Sequence, residues 1–144
     1  MEYKFHFYPL DALGNYKFAD IVALHNGKWI FCKHKERTTW EAAGGHIELG
    51  ETPLEAAKRE LFEETGAIDF DIEPLCDYRV RGIFGGVDTT ANGQVFFANV
   101  HTLGEIPCQS EMERIELFDS PPNELTYPGF ISEVSPLVLQ RGVF

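Results

Sequence analysis

The sequence predicts an α/β (α+β) fold in which a mixed β-sheet is sandwiched between helices. Strand-like patterns occur on both sides of one strongly marked helix at 53–65, and a second helical pattern covers 129–139. At 144 residues the chain is long enough for one hydrophobic core and too short for two, so a single domain over 1–144 is expected.

Strands are expected where β-branched and aromatic residues form short runs or alternate with polar residues. These segments are 2–8, 18–25, 28–33, 40–43, 68–81, 94–102 and 115–118. Asn26-Gly27 predicts a two-residue hairpin turn, because both residue types readily adopt positive φ. The segment 68–81 is expected to form one long strand or two short strands interrupted at Pro74. The glycine-rich segment 82–93 is interpreted as a loop or a hairpin tip.

The helix at 53–65 has the clearest boundaries in the sequence. Thr52 is a favourable N-cap, Pro53 suits the first helical position, and Glu55 completes a Thr-x-x-Glu capping box. Gly66 is the residue type that most readily takes the left-handed conformation just past a helix end. A helix from Pro53 to Thr65 is therefore predicted.

Two faces of this helix have different expected roles. Leu54, Ala57 and Leu61 share one stripe, which is predicted to pack on the sheet. The neighbouring face carries carboxylates at positions i, i+3 and i+4, namely Glu60, Glu63 and Glu64. Like charges at this spacing destabilise a bare helix, and a hard cation such as Mg²⁺ or Mn²⁺ would remove the repulsion. Taken alone, three glutamates are more often a solvated helix face.

The helical pattern at 129–139 has apolar residues at helical spacing, and Pro136 is expected to kink or split it. With strands on both sides of the first helix and this second helix at the end, the sheet is expected to lie between helices.

Composition narrows the classes of function. The net charge of −11 argues against an extended nucleic-acid groove, which relies on basic surface. Bound divalent cations would reconcile an acidic protein with an anionic substrate. Cys32, Cys76 and Cys108 lack disulfide or zinc-site spacing, so a cytoplasmic location is expected. No segment has the pattern of a signal peptide, a membrane span or a lipidation site, so no membrane association is expected.

The segment from Gly45 to Ala67 carries a longer pattern that includes the helix. Gly45 is followed after five residues by Glu51, and after seven more by Arg59-Glu60-Leu61-x-Glu63-Glu64-x-Gly66-Ala67. This pattern resembles the complete Nudix box of the MutT-type pyrophosphohydrolases. Every fixed position is filled in register, which favours a metal-binding face over a solvated one.

The resemblance implies the Nudix fold and Mg²⁺-dependent hydrolysis, with Mn²⁺ as an alternative metal, of a nucleoside diphosphate linked to another group. The favoured interpretation is a MutT-like enzyme that converts a nucleoside triphosphate, including oxidised ones, into a monophosphate and pyrophosphate. ADP-ribose, dinucleoside polyphosphates and a capped RNA end fit the same box. A non-catalytic nucleotide sensor is the rival class. The expected partner is a small nucleotide, and a homodimer stays open because Nudix enzymes often dimerise.

The resemblance also assigns roles by position. Glu63 and Glu64 would be the principal metal ligands, and Glu60 a ligand or the base that deprotonates water. Arg59 would pair with a box carboxylate and keep the site in shape, and Gly45 would offer its backbone carbonyl to the metal.

Residues outside the helix complete the candidate site. In the Nudix family a further metal ligand often comes from a glutamate in the loop before the last strand, so the resemblance implies Glu111 for this role, with Glu113 and Glu116 as rivals and a surface charge as the alternative. The resemblance also places Glu48 near the metals, with a surface charge again as the alternative. The candidate stacking residues for a base are Trp40, Tyr78, Phe84 and Tyr127, although core or rim positions are commoner for such residues. Many family members have an aromatic residue and a proline where this chain has Ala42-Ala43, which leaves the substrate open.

Overall fold

The computed structural model describes residues 3–141, except for the side chain of Phe84. The strands are β1 (Lys4–Tyr8), β2 (Tyr16–His25), β3 (Lys28–His34), β4 (Trp40–Glu41), β5 (Ala43–His46), β6 (Ala67–Phe84), β7 (Val87–Leu103) and β8 (Met112–Phe118). The helices are α1 (Pro53–Thr65) and α2 (Pro128–Leu139). The strand order is β1-β6-β7-β2-β3-β4, with β5 paired to β2 and β8 paired to β3. The sheet is mixed because β2 and β7 run parallel while the other pairs are antiparallel.

Strand β2 lies at the centre and has two partners on one side. Its first half pairs with β5 through residues 18–21, and its last three residues pair with β3. On the other side it pairs with β7 along its length. This arrangement brings the Gly44-Gly45 backbone against the middle of the sheet.

The two faces of the sheet form two hydrophobic cores. Alternate residues of β2 divide between them, with Ile21 on the face under α1 and Val22 on the face under α2. Small residues on the α1 side let that helix approach closely, and they include Ala19, Ala23, Ala43, Ala56, Ala57 and Ala98. The prediction of a mixed sheet between helices is confirmed.

Helix α1 begins and ends where the sequence predicts. The Thr52 hydroxyl accepts a hydrogen bond from the Glu55 N–H at 3.1 Å, and the Glu55 carboxylate accepts one from the Thr52 N–H at 2.9 Å. Gly66 follows with φ of 79°. Leu61 is fully buried, but the prediction for Leu54 was wrong, because it is 38% exposed and Ala56 packs on the sheet instead. The packed face begins at Ala56, and Leu54 lies outside the core cluster.

The interpretation of 82–93 as a loop was also wrong, apart from the hairpin tip itself. Strands β6 and β7 pair through this segment and meet at a two-residue turn, Gly85-Gly86, with φ of 58° and 81°. Gly93 lies in β7 and pairs with Tyr78 of β6, and a Cβ there would lie 2.2 Å from Cζ of Tyr78. Gly93 therefore makes room for an aromatic ring from inside a strand. The sequence pattern alone does not distinguish such a glycine from one in a turn.

Two proline expectations have different outcomes. Strand β6 runs unbroken past Pro74, and a register shift between Pro74 and Cys76 accommodates the missing N–H. Helix α2 is not split by Pro136, which lies on its exposed side. Within the part of the chain that the structure describes, no helix is long and apolar enough to cross a membrane.

Candidate active site

Two adjoining cavities meet at strand β5. The acidic cavity, of about 610 Å³, is lined by the carboxylate face of α1, including Glu60, Glu63 and Glu64. The aromatic cavity, of about 300 Å³, lies between the sheet and the start of α2. The two cavities share four of their lining residues, Gly44, Gly45, His46 and Glu111. A ligand with a charged end and a flat ring could therefore occupy both.

Arg59 organises the acidic cavity. Its Nε and Nη2 donate to the two carboxylate oxygens of Glu51 at 2.7 and 2.9 Å, a bidentate pair. Its Nη1 donates to Glu60 at 2.9 Å and to Glu63 at 3.4 Å, and its Nη2 also donates to the His46 carbonyl at 3.1 Å. The guanidinium lowers the pKa of Glu51 to about 2, chiefly through these hydrogen bonds. Arg59 therefore holds three box carboxylates, Glu51, Glu60 and Glu63, in one arrangement.

Glu64 and Glu60 are the more buried carboxylates of the α1 face. Glu64 is 8% exposed, and its Oε1 accepts a hydrogen bond from the Gly44 N–H at 2.8 Å. Burial, opposed by that hydrogen bond and reinforced by neighbouring carboxylates, raises the pKa of Glu64 to about 9. Burial also raises the pKa of Glu60, although Arg59 opposes this shift. Burial thus disfavours the charged forms of both carboxylates, and a bound cation would stabilise those charged forms.

Gly45 lies against Glu60. A Cβ at position 45 would be 2.6 Å from Oε1 of Glu60, so any side chain there would displace the carboxylate. Gly45→Ala is expected to lower turnover about 10- to 100-fold while leaving the melting temperature nearly unchanged, because only the flexible end of Glu60 must move. Gly129→Ala is the matched control, since a Cβ there meets nothing within 4 Å. Wild-type turnover by Gly45→Ala would show that the position of Glu60 does not matter.

The donor set of the acidic cavity fits a hard cation. Among residues 3–141, no three histidine, cysteine or carboxylate side chains are arranged to hold a metal ion by themselves. Mg²⁺ does not need such a cage, because it binds through one or two carboxylates together with water and substrate phosphates. The partly buried Glu60 and Glu64 supply such carboxylates, and the half-exposed Glu63 lies beside them. A carbonyl ligand from Gly45 stays a prediction.

The structure brings Glu111 to this site and leaves its rivals elsewhere. Glu111 lines both cavities, and its Oε2 lies 3.6 Å from Nε2 of His34. Glu113 and Glu116 instead form exposed ion pairs with Arg114 on β8. The geometry therefore favours Glu111 among the three candidates.

Glu48 lies at the rim of the acidic cavity. Its Oε1 is 3.7 Å from Nη1 of Arg59, and its side chain is 65% exposed. The position is compatible with either interpretation of Glu48, a contact near the metal or a surface charge.

The predicted stacking residues have different outcomes. Trp40, Tyr78 and Tyr127 all line the aromatic cavity, although Trp40 is only 8% exposed and packs edge-on against Phe118 at 5.1 Å. The side chain of Phe84 lies outside the described residues. Ala42 also lines the cavity, and its small side chain leaves room there.

Comparison with known proteins identifies the family. The family description that matches, over residues 16–131, is that of the NUDIX domain. This chain belongs to the Nudix family. The resemblance on which the box residues were assigned is therefore confirmed, while the individual roles of those residues stay predictions.

Curated Nudix relatives match parts of the chain. An "RNA pyrophosphohydrolase" of Francisella philomiragia is 40% identical over 60 residues, 41% of this chain and 39% of that protein. The Bacillus subtilis protein "Putative 8-oxo-dGTP diphosphatase YtkD" is 30% identical over 106 residues, 74% of this chain and 64% of that protein. The chain therefore spans less than two thirds of the length of either relative. The crystal structure of a mutant of the Bacillus subtilis pyrophosphohydrolase BsRppH superposes with a TM-score of 0.76 at 25% identity, covering 96% of this chain and 88% of that one.

Sequence reasoning missed two carboxylates of this Nudix domain. Asp20 and Glu41 line the aromatic cavity. Burial, with the charges of Glu60 and Glu41, raises the pKa of Asp20 to about 7, although a hydrogen bond from Tyr78 opposes the shift. A signal was available, because Asp20 is a charged residue in the middle of an apolar strand.

Asp20→Asn is expected to change the pH dependence of stability. Between about pH 4 and pH 7 the unfolded chain releases the Asp20 proton while the folded chain retains it, since the pKa rises from 3.8 to about 7 on folding. The unfolding free energy of the wild type should therefore fall, relative to that of the variant, as pH rises through this range. Thermal melts in EDTA from pH 4.5 to 7.5 measure the difference. A constant difference in melting temperature would contradict the assignment.

Proposed function

We propose that this protein is a Mg²⁺-dependent Nudix hydrolase that converts a nucleoside triphosphate, including oxidised ones, into a nucleoside monophosphate and pyrophosphate. The observation that carries the proposal is the junction of the acidic and aromatic cavities at Gly44-Gly45. The triphosphate would lie over the carboxylate face of α1 and the base in the aromatic cavity. The unpaired Cys32, Cys76 and Cys108 agree with a cytoplasmic location.

The acidic cavity would hold the metal through Glu63 and Glu64, with Glu111 and the Gly45 carbonyl as further oxygen donors and with Glu60 as either a ligand or the base. The bound metal would neutralise charge on the phosphoryl oxygens and on the leaving pyrophosphate. This explains how a chain of net charge −11 can take an anionic substrate.

The other roles in the reaction would be performed by side chains of this protein. Glu60 is the candidate base, because it is partly buried and fixed by Arg59 at 2.9 Å. It would accept a proton from water as the water oxygen bonds to phosphorus and the bond to the leaving pyrophosphate breaks. Arg59, held in turn by Glu51, would keep Glu60 and Glu63 oriented throughout.

The relatives support a substrate with a 5′-triphosphate. One is named a putative 8-oxo-dGTP diphosphatase, and others are named RNA pyrophosphohydrolases. The strong negative charge of this chain favours a free nucleotide over a long RNA, because RNA binding gains from basic surface.

A panel of substrates tests this function. It should contain nucleoside triphosphates, 8-oxo-dGTP, ADP-ribose, dinucleoside polyphosphates and a triphosphorylated RNA, each with Mg²⁺ and with EDTA. Metal-dependent hydrolysis of nucleoside triphosphates is expected to exceed that of the other compounds. Preference for ADP-ribose or a dinucleoside polyphosphate would replace the proposed substrate. Tight nucleotide binding without any turnover would favour a sensor.

A further inference from the structure

We propose that Asp20 and Tyr78 select the base in the aromatic cavity, favouring a guanine-type edge on which a ring N–H lies beside an exocyclic amino group. This inference rests on the proposed function for its ligand class, and it adds which base the cavity takes. Neither residue belongs to the Nudix box. Asp20 is the one charged residue in the otherwise apolar run from Phe18 to Leu24 of strand β2.

The pair is built into the sheet by two glycines. The Tyr78 hydroxyl donates a short hydrogen bond to Oδ2 of Asp20. Tyr78 of β6 pairs with Gly93 of the neighbouring strand β7, where a Cβ would lie 2.5 Å from the Tyr78 hydroxyl oxygen. Asp20 of β2 pairs with Gly44 of the neighbouring strand β5, where a Cβ would lie 2.5 Å from Oδ1 of Asp20. Any larger residue at either glycine would displace one member of the pair.

A second phenol–carboxylate pair shows what a purely structural arrangement looks like in this chain. Asp77 is fully buried and accepts hydrogen bonds from the Tyr16 hydroxyl at 2.6 Å and from the Gln94 amide at 3.0 Å. It also accepts two backbone N–H groups, those of Asp11 and Leu13, at 3.2 and 3.0 Å. Asp77 lines neither cavity and both of its oxygens are satisfied.

Asp20 differs from Asp77 in both respects. Asp20 lines the aromatic cavity and is only partly buried. Among the described residues, the Tyr78 hydroxyl alone donates a hydrogen bond to its side chain, and it does so to Oδ2. Oδ1 is thus left as an acceptor that a ligand can use, and the Tyr78 oxygen keeps a free lone pair.

The rest of the cavity supplies no competing cation. In the part of the chain that the structure describes, its lining contains no lysine or arginine. Of the two other carboxylates in the lining, Glu41 already accepts from Arg37 at 2.9 Å and from Thr126 at 3.1 Å, both at Oε1, and Glu111 lies 3.6 Å from His34. The polar floor therefore offers acceptors, and it complements a base edge on which two donors lie side by side.

Guanine presents such an edge, because its ring N1–H and its 2-amino group are adjacent donors. Hypoxanthine lacks only the amino group, and uracil and thymine flank their one N–H with carbonyl acceptors that this floor would repel. Above about pH 7, where Asp20 is ionised, a hydrogen bond to its charged carboxylate corresponds to about a 10- to 100-fold preference. We expect kcat/KM for GTP to exceed that for ITP by this factor.

Asp20→Asn is the main test. Tyr78 would donate to the amide oxygen, which leaves the amide NH₂ facing the cavity as a donor opposite the donors of guanine. The GTP-to-ITP ratio of kcat/KM should therefore fall to about one, with KM changing more than kcat. Tyr78→Phe, a second variant that loosens Asp20, should lower the ratio in part. The matched control is Tyr16→Phe, which removes the hydroxyl from Asp77 and should keep the wild-type ratio.

Binding of GMP and IMP, followed by calorimetry in EDTA, separates this inference from the proposed activity. Tighter binding of GMP than of IMP that is lost in Asp20→Asn supports base selection even if no triphosphate is hydrolysed. Hydrolysis of GTP and ITP at equal rates by the wild type would overturn the base selection but would still agree with the proposed hydrolase activity. An unchanged ratio in Asp20→Asn, or no binding of either monophosphate, would also overturn it.

Discussion

Glu63→Gln is expected to lower turnover by about 10²- to 10⁴-fold without unfolding the protein. The substitution keeps the size of the side chain but removes its charge, so it cannot hold a cation or shape the phosphate site as a carboxylate does. The stability cost is small, because Glu63 is 47% exposed and its contact to Arg59 is long, at 3.4 Å. Steady-state hydrolysis of a nucleoside triphosphate with Mg²⁺ measures the effect.

The control for this variant is Glu133→Gln, the same chemical change on the exposed side of α2. It should retain wild-type kinetics. Melting temperatures of both variants should stay within about 2 °C of the wild type, which corresponds to less than about 1 kcal/mol. Near wild-type turnover by Glu63→Gln would remove Glu63 from the metal site.

Leu61→Ala is expected to lower the unfolding free energy by about 2–5 kcal/mol. Leu61 is fully buried on the face of α1 that packs against the sheet, so truncation leaves a cavity there. Because the same helix carries the carboxylates, Leu61→Ala should also lose its turnover at a lower temperature than the wild type does. Urea unfolding of the two proteins measures the loss.

Leu54→Ala is the matched control on the same helix. Leu54 is 38% exposed and lies outside the core cluster, so its truncation should cost less than about 1 kcal/mol. Equal losses for Leu54→Ala and Leu61→Ala would contradict the assignment of the packed face.

Local signals made α1 predictable from the sequence. The capping box of Thr52 and Glu55, the proline that follows and the terminal Gly66 act over a few residues and do not depend on the rest of the fold. The hairpin at Asn26-Gly27 was predictable for the same reason, and both residues have positive φ in the structure. Leu54 was misplaced because helical spacing shows which face is apolar but not where the sheet beneath it ends.

Long-range contacts explain the larger misses. Gly93 suggested a loop, but it is needed by the ring of Tyr78 on a neighbouring strand. The aromatic cavity gathers Tyr3, Trp40 and Phe130 from distant parts of the chain, so no spacing pattern could reveal it. The α1 face was predictable because its glutamates are neighbours in sequence, whereas only the fold of the preceding loop separates Glu111 from its rivals Glu113 and Glu116.

Product analysis of one reaction tests the central claim most directly. Phosphorus NMR should follow GTP with Mg²⁺ and the wild-type protein, with Glu63→Gln run in parallel. We expect GMP and pyrophosphate in equal amounts with the wild type, and almost none with the variant. Formation of GDP and orthophosphate, or no hydrolysis of GTP or any other nucleoside triphosphate, would contradict the proposed pyrophosphohydrolase.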